Sequence, residues 1–188
     1  MVFSSGWASG VNAYLVVLVF GIADRIGDLA TVPDTLGRTD VLVAAAALYA
    51  VEFVLDKIPF LDSTWDAIST VIRPVIGTAI ALLVSGDAAS AEQAAYGALG
   101  GGTALASHLV KAGGRLAINA SPEPVTNILA SLAEDVAVVT VVLLAIQYPW
   151  IALAVAAVLL LVGGFVVYHL LKLVRRGWRR WKGRPAPA

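Results

Sequence analysis

The sequence has no cysteine and few charged residues. Without cysteine the chain cannot form disulfides, thiolate metal sites or cysteine nucleophiles. Charged residues make up 14% of the 188 residues, whereas soluble domains usually carry about a quarter. Hydrophobic residues reach 59%, and the mean hydropathy is +0.84. These values exclude an ordinary water-soluble domain and predict an integral membrane protein.

Six hydrophobic segments divide the chain. They predict an all-α, polytopic membrane bundle of about six transmembrane helices in residues 1–174, followed by a basic cytoplasmic tail in residues 175–188. Pro124 and Pro149 fit the first turns of helices, where the missing N–H is not needed. The segments run over residues 7–23, 40–55, 62–84, 91–110, 124–146 and 149–173.

The distribution of basic residues predicts the orientation. If the N-terminus is cytoplasmic and six segments cross, the inner loops hold Lys57, Lys111 and Arg115, and the outer loops hold Arg25 and Arg38. Seven of the thirteen basic residues fall between Lys172 and Arg184, in and just before the tail. Cytoplasmic loops are rich in lysine and arginine, so both termini are expected in the cytoplasm. The N-terminus lacks the basic start of a secretory signal, which favours a retained first span.

One polar pattern occurs twice, each time with spacings of four and then seven residues. At 100° per residue its three members stay within about 40° of one another, so each triplet forms a stripe on one helix face. The third member lies roughly 16 Å into the helix, near the middle of a ~30 Å hydrocarbon core. The triplets are Asp62, Asp66 and Arg73, and Glu123, Asn127 and Glu134.

The repeated stripe is compatible with an internal duplication of helical hairpins. In that interpretation segments two and three match segments four and five as parallel repeats. A different alignment pairs Gly10 and Ala13 with Gly101 and Ala104, and it implies inverted halves of the kind many transporters use. The sequence leaves both arrangements open.

Arg73 is the most specific candidate residue because Pro74 follows it. Proline inside a helix frees a backbone carbonyl, and an arginine at this depth needs a counter-ion or water. Glu134 or the adjacent Asp135 is the expected partner. One interpretation is an ion pair that only locks the hairpins together. The other is a cavity that water and a solute or ion also reach, with the two acids suited to cation coordination or proton coupling.

Further polar residues extend this candidate cavity. Glu52 and Asp66 lie within helices, where ionised groups are costly, and Asn12 is expected either to bond a neighbouring helix or to line the cavity. Four residues near the predicted inner loops are expected to cap helices and pair, or to form a cytoplasmic mouth. They are Asp56, Lys57, Asp62 and Glu123.

The remaining features favour packing and lipid contact. Gly100 to Gly102 are expected to allow close helix packing, or else local unwinding, and glycine-rich faces are compatible with a homodimer. His108 lacks the neighbours of a metal cluster and is expected to be a packing or interfacial residue. The tail interleaves basic residues with Trp178 and Trp181, which fits anionic lipid better than nucleic acid. No motif predicts a cofactor, and whether a metal ion binds stays open from the sequence.

Four sequence stretches resemble one family. They are GVNAYL at 10–15, EFVLDKIPFLDSTWD at 52–66, RPVIG at 73–77, and SPEPVTN with SLAED between 121 and 135. Together they are similar to the bacterial membrane family called domain of unknown function 4126, over almost the whole chain before the basic tail. The resemblance implies a small inner-membrane protein and supplies no activity or catalytic residues.

Three functions stay open from the sequence. The leading hypothesis is a small transporter or channel-like protein, coupled to protons, whose intramembrane cavity is lined by Asp66, Arg73, Asn127 and Glu134. The second is a membrane-embedded enzyme or carrier for lipid phosphate headgroups, with Arg73 binding phosphate. The third is a structural assembly protein. An enzyme is the less favoured class because no nucleophile constellation or phosphate-binding loop is present.

Overall fold

The computed structural model of the chain describes residues 1–27, 29–58, 60–86, 88–120 and 124–182. The described residues form six helices and contain no strand, as expected from the composition. The helices are α1 (Val2–Gly27), α2 (Thr39–Leu55), α3 (Leu61–Ser85), α4 (Ser90–Asn119), α5 (Pro124–Gln147) and α6 (Pro149–Lys182).

Helix α1 is broken at its middle and folds back on itself. Asn12 has extended backbone angles, with φ −154° and ψ 94°, while the residues on both sides are helical. Met1 shares a surface hollow with Val32 and Ser85. At the other end of α1, Gly21 packs against Leu36, four residues beyond Val32. Both ends of α1 therefore lie at the same end of the bundle, with Asn12 in its interior.

The other helices run alternately between two ends of the bundle. We call these the Met1 end, where α3 ends and α4 begins, and the Asp62 end, where α2 ends and α3 begins. Helix α4 packs antiparallel along α3, and α6 runs parallel to α4, with Gly163 at Val110 and Val167 at Gly113. Helix α1 lies at the centre and packs against the other five.

Apolar and polar side chains separate along the bundle axis. The apolar core fills the Met1 half, where Phe20, Val32 and Ile80 pack against Val138 and Val142 of α5. The Asp62 half holds buried polar and charged side chains instead. Close packing around α1 thus fixes the position of a polar interior in the other half of the bundle.

Glycines allow α1, α3 and α4 to approach one another closely. A Cβ atom on Gly6 would overlap the Gly100 carbonyl, and one on Gly10 would overlap the Ala104 carbonyl. Gly77 of α3 and Gly100 of α4 also lie close together, because a Cβ atom on Gly100 would overlap the Gly77 carbonyl. Helix α4 stays continuous through Gly100 to Gly102, so close packing rather than unwinding explains these glycines. The break lies in α1 instead.

The expected six spans need one change. Helices α1, α3, α5 and α6 are long and apolar enough to cross a membrane. The two limbs of α1, however, have about 11 and 15 residues, or roughly 16 and 22 Å, each too short for a ~30 Å core. Helices α2 and α4 are not in this group of four, since α2 has only 17 residues and α4 contains buried cations. The first predicted segment therefore enters the bundle and returns rather than crossing it.

Candidate functional site: a buried charge network

The Asp62 half contains a continuous network of charged side chains, which we call the charge network. Its members come from α2, α3, α4 and α5, and the two carbonyls at the break in α1 complete it. All but Glu134 are at least nine-tenths buried. The members are Glu52, Asp56, Asp62, Asp66, Arg73, His108, Lys111, Arg115 and Glu134.

Arg73 forms the deepest part of the charge network. Its Nη2 donates to Glu52 Oε1 at 2.5 Å and lies 3.3 Å from Asp66 Oδ1. Its Nη1 donates to the Gly10 carbonyl at 2.9 Å and to His108 Nδ1 at 2.8 Å. Because His108 Nδ1 accepts this bond, we assign the imidazole proton to Nε2, which faces the Asp66 carbonyl at 3.0 Å. Arg73 thus joins α1, α2, α3 and α4.

Lys111 lies one layer closer to the Asp62 end. Its Nζ donates to Asp56 Oδ2 at 2.6 Å and to the Val11 carbonyl at 3.1 Å, and lies 3.4 Å from Glu52 and 3.6 Å from Glu134. The Val11 carbonyl is available because the helix breaks at the next residue. An unwound carbonyl that faces a cation inside a bundle is the arrangement found in discontinuous membrane helices.

Arg115 connects the two predicted polar stripes. Its Nη2 donates to Glu134 at 2.6 Å, and its Nη1 donates to the Asn127 side chain at 2.8 Å. The same Nη1 lies 3.9 Å from Asp62, which also accepts hydrogen bonds from Asn119. The described members of the α3 and α5 stripes therefore meet through a cation on α4.

Asn12 holds the break in α1 from within. Its Oδ1 accepts a hydrogen bond from the Leu15 N–H at 3.0 Å and so caps the second limb. Its Nδ2 donates to Asp135 Oδ1 at 3.0 Å, and Tyr49 donates to the other Asp135 oxygen at 3.2 Å. Asp135 thus accepts hydrogen bonds from two neutral donors beside the charge network. The bond from Asn12 is the interhelical hydrogen bond expected of that residue.

Carboxylates outnumber cations inside the charge network. Among the described residues it contains five carboxylates and three strong bases, with His108 neutral by its hydrogen bonds. Uncompensated charge in a membrane interior is expensive, so bound protons or cations must balance this excess. Several of its buried polar atoms also have no hydrogen-bond partner. They are Glu52 Oε2, Asp56 Oδ1, both Asp66 Oδ atoms, Arg73 Nε and Arg115 Nε.

Two hollows reach the charge network from different sides. One, of about 280 Å³, lies among α1, α4, α5 and α6, with Trp7, Val110 and Leu159 on its walls and Lys111 and Glu134 at its polar end. The Glu134 side chain is 23% exposed there, whereas the other four carboxylates are buried. The second, of about 220 Å³, lies between α3 and α4 and contains Asp66.

Lys57 lies in the turn after α2 and forms no ion pair with a carboxylate of the described residues. Its Nζ donates to the Phe53 carbonyl at 2.9 Å and to Ser131 at 3.3 Å, and it covers the Phe53 ring. Partial burial lowers the pKa of Lys57. The expectation that it pairs with Asp56 or Asp62 is wrong, because Lys111 and Arg115 occupy those places.

The structure brings the predicted residues together but pairs them differently. The expected pairing of Arg73 with Glu134 or Asp135 is wrong, because Glu52 and Asp66 hold Arg73 while Arg115 holds Glu134. Asn127 and Glu134 share one buried face of α5, and the α3 stripe is buried. Glu123, the first member of the second triplet, lies outside the described residues.

The prediction missed three members of the charge network, all on α4. Lys111 and Arg115 were expected in a cytoplasmic loop, but α4 continues to Asn119 and buries both. His108 is a central hydrogen-bonding residue rather than a packing residue. The signal was present, because residues 108, 111 and 115 have the spacing of one helix face. Their charge shortened the hydrophobic segment and hid the helix.

No group of three acidic or histidine side chains able to hold a metal ion occurs in the part of the chain that the structure describes. The carboxylates are instead separated from one another by Arg73, Lys111 and Arg115. Among the described residues this donor set is arranged as ion pairs.

Comparison with known proteins gives one match. The model of a family described as a domain of unknown function, DUF4126, matches residues 1–169. No curated protein and no solved structure matches the chain. The family match confirms the resemblance carried by the four sequence stretches.

Proposed function

Because the chain belongs to the DUF4126 family, whose function is unknown, we propose its function from the charge network: a small transporter or channel-like protein coupled to protons. The observation that carries this proposal is the excess of buried carboxylates over cations at a broken central helix. A carboxylate balanced by a proton can release it when the surroundings change, and that exchange can be coupled to movement of a solute.

The experiment measures proton movement in vesicles. The purified full chain is reconstituted into liposomes containing a pH-sensitive dye, and a potassium gradient with valinomycin sets the membrane potential. We expect acidification that depends on the protein. Glu134→Gln should slow it by about tenfold or more, since a hydrogen bond to a charged group is worth ~1.5–3 kcal/mol.

A matched control separates a specific effect from a general one. Glu92 lies exposed in the first turn of α4, so Glu92→Gln should leave proton movement unchanged. Equal rates in protein-free and protein-containing vesicles would overturn the proposal. They would favour the structural alternative, in which the charge network only specifies how the helices pack.

The larger hollow favours a second candidate, a carrier or enzyme for lipid headgroups. Its walls are apolar and Lys111 and Glu134 lie at one end, which fits an amphiphile. Against phosphate binding at Arg73, that side chain is 1% exposed and its Nη atoms are bonded to protein. Native mass spectrometry of the purified protein tests this candidate through a retained phospholipid that is lost in Lys111→Met.

We also propose an orientation in the bacterial inner membrane. The Asp62 end carries Lys57 and the basic end of α6, so it should face the cytoplasm. Since α1 enters and returns, the N-terminus should lie on the opposite side, which replaces the expectation that both termini are cytoplasmic. Lys172, Arg175 and Arg176 share one surface hollow on α6 and are proposed to contact anionic lipid.

A further inference from the structure

Asp66 differs from the other buried acids in its hydrogen bonds. Both of its Oδ atoms are buried and accept no hydrogen bond from the described residues. The carboxylates of Glu52, Asp56, Asp62 and Glu134 each accept at least one. The nearest cation is Arg73 Nη2 at 3.3 Å, and that group already donates to Glu52. As an anion, Asp66 therefore bears a desolvation cost that few contacts offset.

A groove connects Asp66 with the outside of the bundle. It lies between α3 and α4 and has a volume of about 220 Å³. Ala67 and Ala112 form its small walls, and the 59% exposed Leu116 marks its outer rim. The hydroxyls of Ser63 and Thr70 also line it, and hydroxyls can pass protons to a carboxylate. The groove thus offers a short path from the surface to a buried acid.

The surroundings of Asp66 select a proton over a metal cation. Arg73 faces it from its own helix, and His108, Lys111 and Arg115 lie on α4. Asp56 lies in the turn after α2, and Glu134 on α5. A metal cation would have to sit beside the guanidinium of Arg73, whereas a proton needs one oxygen only. We propose that Asp66 is the carboxylate that binds and releases the coupled proton, through the groove between α3 and α4.

Dicyclohexylcarbodiimide tests this site directly. The reagent is apolar and adds to carboxylic acids: the acid proton moves to one nitrogen and the carboxylate oxygen bonds to the central carbon. The acyl group then migrates to nitrogen as its bond to oxygen breaks, so the stable N-acylurea keeps the whole reagent and nothing leaves. We expect one adduct on the full chain in lipid vesicles, located at Asp66 by mass spectrometry of its peptides. The adduct should form faster at low pH.

Variants make the test specific. Asp66→Asn should lose the adduct and Asp66→Glu should keep it, with size-exclusion chromatography checking that each is folded. Ala67→Leu narrows the groove and should slow labelling, whereas Ala98→Leu on the exposed face of α4 should not. The absence of an adduct on folded wild-type protein, labelling of Glu134 in place of Asp66, or protection by sodium at constant pH would each overturn the assignment.

Only the role of the Asp66 proton in transport rests on the proposed function. The assignment of Asp66 as a proton-binding residue does not. Labelled Asp66 in vesicles without proton movement would refute the transport function and leave the proton site standing. Proton movement without labelling would refute Asp66 as the loading residue and leave the transport function standing. The two experiments therefore fail independently.

Discussion

Glu52 shows how much a single side chain contributes to this interior. It is fully buried on α2 and is held by Arg73 at 2.5 Å and Lys111 at 3.4 Å. Two cations from two different helices thus share one carboxylate oxygen. If that charge is removed, the cations remain buried with fewer partners, which is the costly way to break a buried ion pair.

We expect Glu52→Gln to destabilise the protein by about 3–5 kcal/mol, because it neutralises one side of a buried ion pair while keeping its shape. The measurement is the midpoint of thermal unfolding in detergent, followed by fluorescence-detected size exclusion. Asp40→Asn is the matched control, since Asp40 pairs with Arg38 on the surface and its loss should leave the midpoint unchanged. Similar midpoints for the two variants would contradict a tightly held network.

At this scale the sequence predicted which charged residues are buried better than which residues meet. Charged side chains in apolar helices are expensive, so Glu52, Asp66 and Arg73 could be identified without a structure. Their pairing depends on how each helix is rotated against its neighbours. The spacing within one helix carries no information about that rotation, and Glu134 was therefore given the wrong partner.

Among the elements, α1 is the least predictable and the most central. Its composition is that of an ordinary span, and the break depends on the backbone angles of Asn12 alone. The sequence located the buried amide but could not show that it ends one limb and caps the next. The other helices were predicted within a few residues, apart from the C-terminal ends of α4 and α6.

The contact between α3 and α4 yields a prediction from a pair of glycines two residues apart. A methyl group on Gly100 would overlap Ala81 and the Gly77 carbonyl, whereas one on Gly102 has open space within 4 Å. We expect Gly100→Ala to destabilise by about 1–3 kcal/mol through overpacking. Gly102→Ala should be neutral or stabilising by up to about 1 kcal/mol, from helix propensity.

Both glycine variants are compared by the same unfolding midpoint. Because both are Gly→Ala changes in one helix, two residues apart, the difference between their midpoints does not come from helix position or composition. A loss of stability in Gly102→Ala equal to that in Gly100→Ala would show that α4 packs through a different face. The proposed proton movement offers a second readout, because α4 carries His108, Lys111 and Arg115 of the charge network.

For the whole molecule, the return of α1 leaves five helices running between the two ends. The proposed orientation, in which these five helices cross, places Met1 and the end of α6 on opposite sides of the membrane. The absence of native cysteine makes this testable, since a single introduced thiol is the only one in the chain.

We expect Val2→Cys, beside Met1, to react with an impermeant maleimide added outside intact cells. Ala120→Cys, at the Asp62 end, should react only after the membrane is opened, because we propose that this end faces the cytoplasm. Thr35→Cys is the control for external reaction, since it is exposed and lies outside whether five or six segments cross. Labelling of Thr35→Cys with protection of Val2→Cys in intact cells would restore an even number of crossings.

The central place of α1 has a consequence for biosynthesis. The partners of its limbs all come later in the chain. The Gly10 carbonyl accepts a hydrogen bond from Arg73, 63 residues later, and the Val11 carbonyl accepts one from Lys111, 100 residues later. Asn12 donates to Asp135, 123 residues later. Contacts this distant in sequence close late in folding. Helix α1 is therefore among the last helices to complete its contacts, because the Asn12 side chain has no Asp135 to bond until α5 is made.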